Sequence, residues 1–150
     1  MKKKKVVLLA FLILLAVVVF VGYKIYNKPV KNLVSSPADL SITATDLIRK
    51  FETNESDANK EFLGKKTDFI ITVSGAVKEI IKDEKGAYTV VLGGNSTRSS
   101  VRCSIDSLYN QQAVSLITGK TVSIKGAITG FMKNDLGIGS DVVLNRCVIE

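Results

Sequence analysis

Hydrophobic and polar positions divide the chain into three stretches with different periods. Val6 to Val21 contains no polar side chain, and Gly22 and Tyr23 extend this apolar run to residue 23. Between Ser41 and Phe62 the apolar residues recur at a spacing near 3.6, which is typical of a helix with one buried face. After Gly64 apolar and polar residues alternate, which is typical of strands with one buried face. The pattern predicts an apolar helix, an amphipathic helix and then a β domain.

Five strands are predicted after Gly64, and they are separated by turn residues. They cover residues 69–81, 88–92, 101–105, 122–126 and 142–149. The turns and loops fall at Asp83–Gly86, Gly93–Asn95, Gly119–Lys120 and Lys133–Gly139. Residues 106–118, between the third and fourth strands, have weak helical character. Three strands, a helical insert and two further strands are the plan of the OB fold, a five-stranded Greek-key barrel.

The predicted architecture is therefore mainly β, with a leading helix over residues 45–62 and one transmembrane helix before it. Thr45 and Asp46 are typical helix-start residues, and Gly64 is a typical stop. Gly75 and Gly126 lie inside strands, where a small coiled barrel needs glycine to bend. The predicted divisions are a membrane anchor over residues 1–23, a linker over 24–40, and the OB domain over 41–150.

The apolar segment permits two interpretations, a cleaved signal peptide or a retained anchor. Eighteen helical residues span about 27 Å, close to the hydrocarbon thickness of a bilayer. A signal peptide needs small residues one and three positions before the cut. Cutting after Gly22 places Phe20 at the third position, and cutting after Ala16 places Leu14 there. These poor cleavage sites favour an anchor through residues 6–23.

Lysines flank this segment on both sides. Four lysines precede it, and Lys24, Lys28 and Lys31 follow it. The larger charge before the segment predicts a cytoplasmic N-terminus and an extracytoplasmic domain on a single-pass membrane protein.

The net charge of +7 at first suggests a nucleic-acid partner. Seven of the 21 basic residues lie in the first 31 positions, which contain no acid, leaving 14 basic and 14 acidic residues for the remainder. A domain that binds phosphates usually has a basic excess of its own. The charge balance therefore permits nucleic acid as a partner without favouring it.

The chemistry of the side chains limits catalysis. The chain has no histidine, which removes the commonest general base and metal ligand. Its two cysteines, Cys103 and Cys147, cannot form a structural zinc site. We predict no catalytic residues, no metal and no cofactor. In an OB barrel the third and fifth strands meet, so the two cysteines form either a disulfide outside the cytoplasm or a pair of buried thiols.

Several short motifs, taken in order, resemble the tRNA-anti-like OB-fold domains of bacteria. They are Phe62–Lys66, Val73–Val77, Val101–Cys103, Gly119–Gly126 and Asp141–Cys147, preceded by the N-terminal lysines, the apolar run and Tyr26–Pro29. The resemblance covers nearly the whole chain and implies an OB fold like that of the anticodon-binding domains of tRNA synthetases. It carries over no catalytic residue, and a shared fold does not fix a function.

Candidate ligand-binding residues follow from where OB barrels bind, across the second and third strands and in the flanking loops. An aromatic side chain with nearby cations suits single-stranded nucleic acid or sugar. The candidates are Tyr88, Arg98, Arg102, Lys125 and Lys133. The alternative is a solvated surface with Tyr88 in the core. The leading functional hypothesis is a membrane-tethered, non-enzymatic binding or scaffold module with an envelope protein as partner, and the alternative is an OB domain that binds single-stranded nucleic acid.

Overall fold

The computed structural model describes residues 2–27, 33, 35–64, 69–93, 98–133 and 139–150, with the backbone alone for residues 2–12. The chain divides into two compact units, Met1–Lys31 and Asn32–Glu150. The first unit contains helix α1, Lys2–Tyr26. Within the part of the chain so described, no helix is both long and apolar enough to span a membrane. The transmembrane helix at residues 6–23 stays a prediction.

The described residues of the second unit form six strands, three α-helices and one short 3₁₀ helix. The strands are β1 (Leu40–Thr43), β2 (Ile70–Lys82), β3 (Tyr88–Gly93), β4 (Ser100–Ile105), β5 (Thr121–Met132) and β6 (Asp141–Ile149). The helices are α2 (Ala44–Thr53), α3 (Glu55–Phe62) and α4 (Asn110–Val114), with the 3₁₀ helix Ser107–Tyr109 directly before α4.

Strands β2 to β6 close into a barrel. Their order is β2-β3-β4-β6-β5, and β5 pairs back onto β2. The first half of β2, Ile70–Ala76, pairs with β5, and its second half, Ala76–Lys82, pairs with β3. The contact between β4 and β6 is parallel, whereas the other barrel contacts are antiparallel. This closed five-stranded arrangement confirms the predicted OB-type barrel.

The strand boundaries differ from the prediction chiefly in β5, which continues to Met132 instead of ending at Gly126. The second half of β5 pairs with β6, and the pairing register shifts between Ile128 and Gly130. This irregularity interrupts the simple alternation that marks a strand in sequence. The predicted turn at residues 94–95 and most of the predicted loop at 133–139 lie outside the described residues.

A sixth strand, β1, precedes the helices. It pairs in parallel with β2, from Leu40 opposite Ile71 to Thr43 opposite Ser74. Leu40 falls in the predicted linker, and the residues after it fall in the predicted helical pattern. Four residues are too few for alternation to stand out, so only the pairing with β2 defines this strand.

The leading helical region consists of two helices instead of the single predicted one. Thr43 begins α2, because its side-chain oxygen accepts a hydrogen bond from Asp46 N at 3.1 Å. Asn54, in an extended conformation, separates the helices and begins α3 by accepting from Asp57 N at 3.2 Å. Asparagine is a strong N-cap, and its side chain here competes with continuation of the helix.

Helices α2 and α3 bury their apolar faces against the barrel. Phe51 is 1% exposed and Phe62 is fully buried. The Phe51 ring stacks on Phe62 at 5.6 Å and on Phe131 of β5 at 4.9 Å, and Phe62 meets Phe69 edge-on at 6.0 Å. This phenylalanine cluster (Phe51, Phe62, Phe69 and Phe131) joins the helices to the barrel core.

The two mid-strand glycines allow close packing. A Cβ at Gly75 would lie 2.8 Å from the Cβ of Ala44 in α2. A Cβ at Gly126 would lie 2.6 Å from the Sγ of Cys147. Both glycines are predicted to allow strand bending, and the structure adds a steric reason, since neither site has room for a side chain.

One residue of the predicted linker, Leu33, packs on the barrel. It is 5% exposed and forms a small cluster with Ile70 and Val148, against which Tyr109 packs. Leu33 therefore belongs to the second compact unit, although it lies inside the predicted linker of residues 24–40.

Candidate ligand-binding face

The outward side of β3 and β4 is the surface on which OB barrels usually bind ligands. Alternate residues on these strands, such as Val90, Leu92 and Val101, point into the core. The positions that point away from the core are Thr89, Val91, Gly93, Ser100, Arg102 and Ser104, of which Val91, Gly93 and Ser100 are buried and the other three are partly exposed. All six are described, and none of them is aromatic, so this face offers no ring on which a base or sugar could stack.

Arg102 is the one candidate that lies at the centre of this face. It stands opposite Val91 of β3 and Val143 of β6 in the register. Its Nη1 lies 3.4 Å from Oδ2 of Asp141, and both side chains are partly exposed. The face therefore presents the arginine next to a carboxylate, which reduces the positive potential that a phosphate would meet.

Lys125 belongs to a different part of the barrel. Its side chain is only 11% exposed, and its Nζ lies 2.9 Å from Oε1 of Glu150. The other oxygen of Glu150 accepts a hydrogen bond from the Thr72 hydroxyl at 3.2 Å. Lys125 in β5 and Thr72 in β2 thus both contact Glu150, and the predicted role of Lys125 in ligand binding stays a prediction.

Tyr88 is also absent from the outward face. It is the first residue of β3, half-buried, and packs against the main core. The ammonium group of Lys82 lies 5.6 Å from the centre of its ring. This position agrees with the alternative in which Tyr88 belongs to the core.

Arg98 and Lys133 lie beside the loops at the end of the barrel that α2 covers. Both side chains are exposed. The backbone of Arg98 passes so close to Gly139 that a Cβ there would overlap the Arg98 carbonyl, and Gly139 adopts a φ of +109°. Lys133 lines a cleft of about 340 Å³ together with Phe131, Glu52 and other residues of α2. The structure therefore separates these two candidates from Tyr88 and Lys125.

Lys78 is a cation near this face that is not among the predicted ligand-binding residues. Its Nζ donates to the Ser99 carbonyl and to the Ser100 hydroxyl, each at 3.3 Å. The aliphatic part of the side chain crosses Gly93, where a Cβ would lie 2.9 Å from the lysine Cδ. The nearest signal in the sequence is Gly93 itself, because Lys78 of β2 reaches Ser99 and Ser100 by crossing β3 at this glycine. Lys78 contacts Ser99 and Ser100, and Arg98 and Arg102 lie on either side of these residues in the chain, so we call these three cations the basic corner.

The two cysteines lie side by side in the barrel core. Both are fully buried free thiols, on the adjacent strands β4 and β6. Burial raises the pKa of the Cys147 thiol well above its ordinary value, and the hydrogen-bonded Cys103 thiol raises it further. The predicted proximity of the two residues is therefore found, whereas the disulfide stays a prediction. No group of three His, Cys, Asp or Glu residues in the described part of the chain could hold a metal ion.

We expect the stability of the reduced protein to fall at alkaline pH because of Cys147. Above a pH of about 8.5 the thiol ionises in the unfolded chain but stays protonated in the folded one. The folded state then holds the extra proton, so the free energy of unfolding decreases by up to about 1.4 kcal/mol per pH unit. Urea unfolding of residues 32–150 between pH 7 and pH 10 measures the slope. An equally steep slope in Cys147→Ala would contradict the assignment to this thiol.

The family of the chain follows from a match over almost its whole length. The tRNA_anti-like family model matches residues 1–148. The chain belongs to the tRNA_anti-like family. This match confirms the resemblance drawn from the sequence motifs, and the closed barrel is the fold that the resemblance implied. No curated protein matches this tRNA_anti-like chain.

Solved structures similar to this tRNA_anti-like protein include a candidate nucleic acid-binding lipoprotein from Klebsiella pneumoniae. The two chains are 18% identical with a TM-score of 0.53, and the match covers 82% of this chain and 99% of the other. A candidate aspartyl-tRNA synthetase from Leishmania major is 12% identical, with a TM-score of 0.45, over 81% of this chain and 22% of the synthetase. At these identities the first similarity establishes the fold alone.

Proposed function

We propose that this protein is a membrane-tethered OB module of the bacterial cell envelope that binds a protein partner and catalyses no reaction. The observation that carries the proposal is the outward face of β3 and β4. Its six described positions contain no aromatic residue, and its central cation, Arg102, is next to Asp141. Base stacking and a basic groove are what single-stranded nucleic-acid binders use. A mixed and nearly neutral surface suits a protein partner better.

The tether is supported by the sequence of residues 6–23, which contains no charged side chain. The side chains described in this region, from Ile13 to Val21, include large apolar groups that are exposed. An exposed apolar helix needs an apolar environment, and a bilayer supplies one. With four lysines before the segment, the positive-inside rule places the OB domain outside the cytoplasm.

The proposed tether predicts that the full chain is found in the membrane fraction of lysed cells. We expect it to stay with membranes after extraction at alkaline pH, and the double substitution Leu14→Arg with Val18→Arg to release it. Each arginine at the centre of a spanning helix costs about 2.5–3.5 kcal/mol of insertion free energy. The matched control, Leu14→Ile with Val18→Leu, keeps the segment apolar and stays with the membrane. Release of the unsubstituted chain by alkaline extraction would contradict the tether. The orientation is tested by adding protease to spheroplasts, and a domain that the protease does not cleave would contradict the extracytoplasmic placement.

Binding of single-stranded nucleic acid is the second candidate, and one feature of the structure favours it. The basic corner (Lys78, Arg98 and Arg102) extends from the start of β4 onto the face on which OB barrels bind. The Klebsiella protein with the same fold is described as a candidate nucleic-acid binder. The basic corner could attract a phosphate backbone even though the face has no aromatic ring.

Fluorescence anisotropy with labelled oligothymidine and oligouridine separates the two functions. Under the leading proposal we expect no saturable binding even at low salt. If the second candidate is correct, binding appears and weakens as salt rises, because phosphate contacts release counterions. Arg102→Gln then reduces affinity, whereas Lys125→Gln, at the buried pair with Glu150, leaves affinity unchanged in chains that remain folded.

A further inference from the structure

The segment between β4 and β5 presents apolar side chains to solvent. This β4–β5 insert, residues 107–119, includes the 3₁₀ helix and α4. Leu108 is 84% exposed, Val114 is 62% exposed and Ile117 is 57% exposed. No residue from 107 to 119 is charged, although 23% of the whole chain is. Exposed apolar side chains on an uncharged surface are typical of a contact site.

The opposite side of the insert is attached to the barrel. Ala113 is fully buried, and the Asn110 amide donates to the Gly86 carbonyl at 3.2 Å. Asp106 accepts a hydrogen bond from Leu108 N at 3.1 Å, which begins the 3₁₀ helix. These contacts orient the insert, so that Leu108 and Val114 cannot turn inward without breaking them.

The linker reaches the barrel beside this same insert. Leu33 is buried in the cluster with Ile70 and Val148, and Tyr109 of the insert packs against that cluster. Only six peptide units separate Leu33 from Asn27, which follows the last residue of α1. Six residues span at most about 20 Å when fully extended. The covalent length of these residues therefore allows the insert to reach the lipid around the proposed tether.

We propose that the outward side of the β4–β5 insert lies in the interface of the lipid bilayer that anchors the protein. This inference rests on the proposed tether through residues 6–23. Leu108, Val114 and Ile117 would enter the interfacial region, and none of the insert's own side chains would have to be desolvated as an ion. The tether holds the insert at a high effective concentration next to the lipid, so three side chains are enough for a contact that free protein would make only weakly.

An environment-sensitive label tests this placement in the full chain. Val114→Cys is labelled with the NBD fluorophore and reconstituted into vesicles of phosphatidylcholine and phosphatidylglycerol, with and without doxyl-labelled lipid. The native cysteines are fully buried, so labelling of the folded protein selects the new thiol. The matched control is Glu55→Cys, an exposed position at the start of α3. Glu55 follows Glu52, which accepts a hydrogen bond from Ser99 just before the start of β4. The insert follows the opposite end of β4, so the two labels report on different parts of the domain.

We expect a blue shift and a loss of emission with doxyl lipid at position 114, and neither at position 55. Unchanged emission at position 114, in chains that float with the vesicles, overturns the inference and leaves the tether intact. A blue shift that doxyl lipid does not quench indicates a protein contact and also overturns it. Chains that do not float with the vesicles contradict the tether and the inference together. Replacing Leu108 and Ile117 with serine in the labelled chain reduces the quenching if these side chains hold the insert in the lipid.

Discussion

Replacing Phe51 with alanine is expected to lower the free energy of unfolding of residues 32–150 by about 3–5 kcal/mol. The ring is 1% exposed and stacks on Phe62 of α3 and Phe131 of β5. Its removal leaves a cavity where three elements meet and eliminates two aromatic contacts, each worth about 0.5–1.5 kcal/mol. Few small domains tolerate such a loss, because their total stability is only about 5–15 kcal/mol.

Two variants make this experiment specific to the ring. Thr53→Ala changes an exposed residue of the same helix and should alter stability by no more than about 0.5 kcal/mol. Phe51→Leu should fall between these values, because leucine refills part of the volume without the ring contacts. Urea unfolding followed by circular dichroism gives all three values. If Phe51→Ala cost no more than Thr53→Ala, the phenylalanine cluster would not hold α2 on the barrel.

Replacing Gly126 with alanine is expected to destabilise the barrel by about 1–3 kcal/mol through overpacking. The added Cβ would lie 2.6 Å from the Sγ of Cys147 and 3.3 Å from the Cβ of Leu144. Both neighbours belong to β6 and are fully buried, so neither can move toward solvent. Gly130→Ala on the same strand is the matched control, because a Cβ at Gly130 meets no atom within 4 Å.

A double-mutant cycle with Cys147→Ala tests the cause. Removal of the sulfur makes room for the new methyl group, so the double variant should be less destabilised than the sum of the two single variants. Coupling energies between residues in contact are typically about 0.5–3 kcal/mol. Simple additivity would show that the clash with Leu144, and not the sulfur, sets the cost.

The sequence determined the architecture of the domain because its signals are local. Alternation after Gly64 predicted each of the five barrel strands near its observed place, and their order with a helical insert predicted the OB plan. The N-terminal apolar run and its flanking lysines likewise predict an anchor without reference to any tertiary contact. Turn residues and side-chain periods are properties of neighbouring residues, so one sequence is enough to recognise them.

The tertiary structure decided which residues meet, because barrel closure brings together positions far apart in the chain. Lys125 and Glu150 pair across 25 residues, and Arg102 pairs with Asp141 across 39. These pairs place two of the predicted ligand-binding residues, Lys125 and Arg102, in different parts of the barrel, and the pairing of β3 with both β2 and β4 brings Lys78 beside Ser99. Asn54 divides the leading helix for a local reason, but β1 exists only because β2 provides an edge for it. The sequence alone thus defined the barrel, while long-range pairing decided which of its charges face solvent and which stabilise the fold.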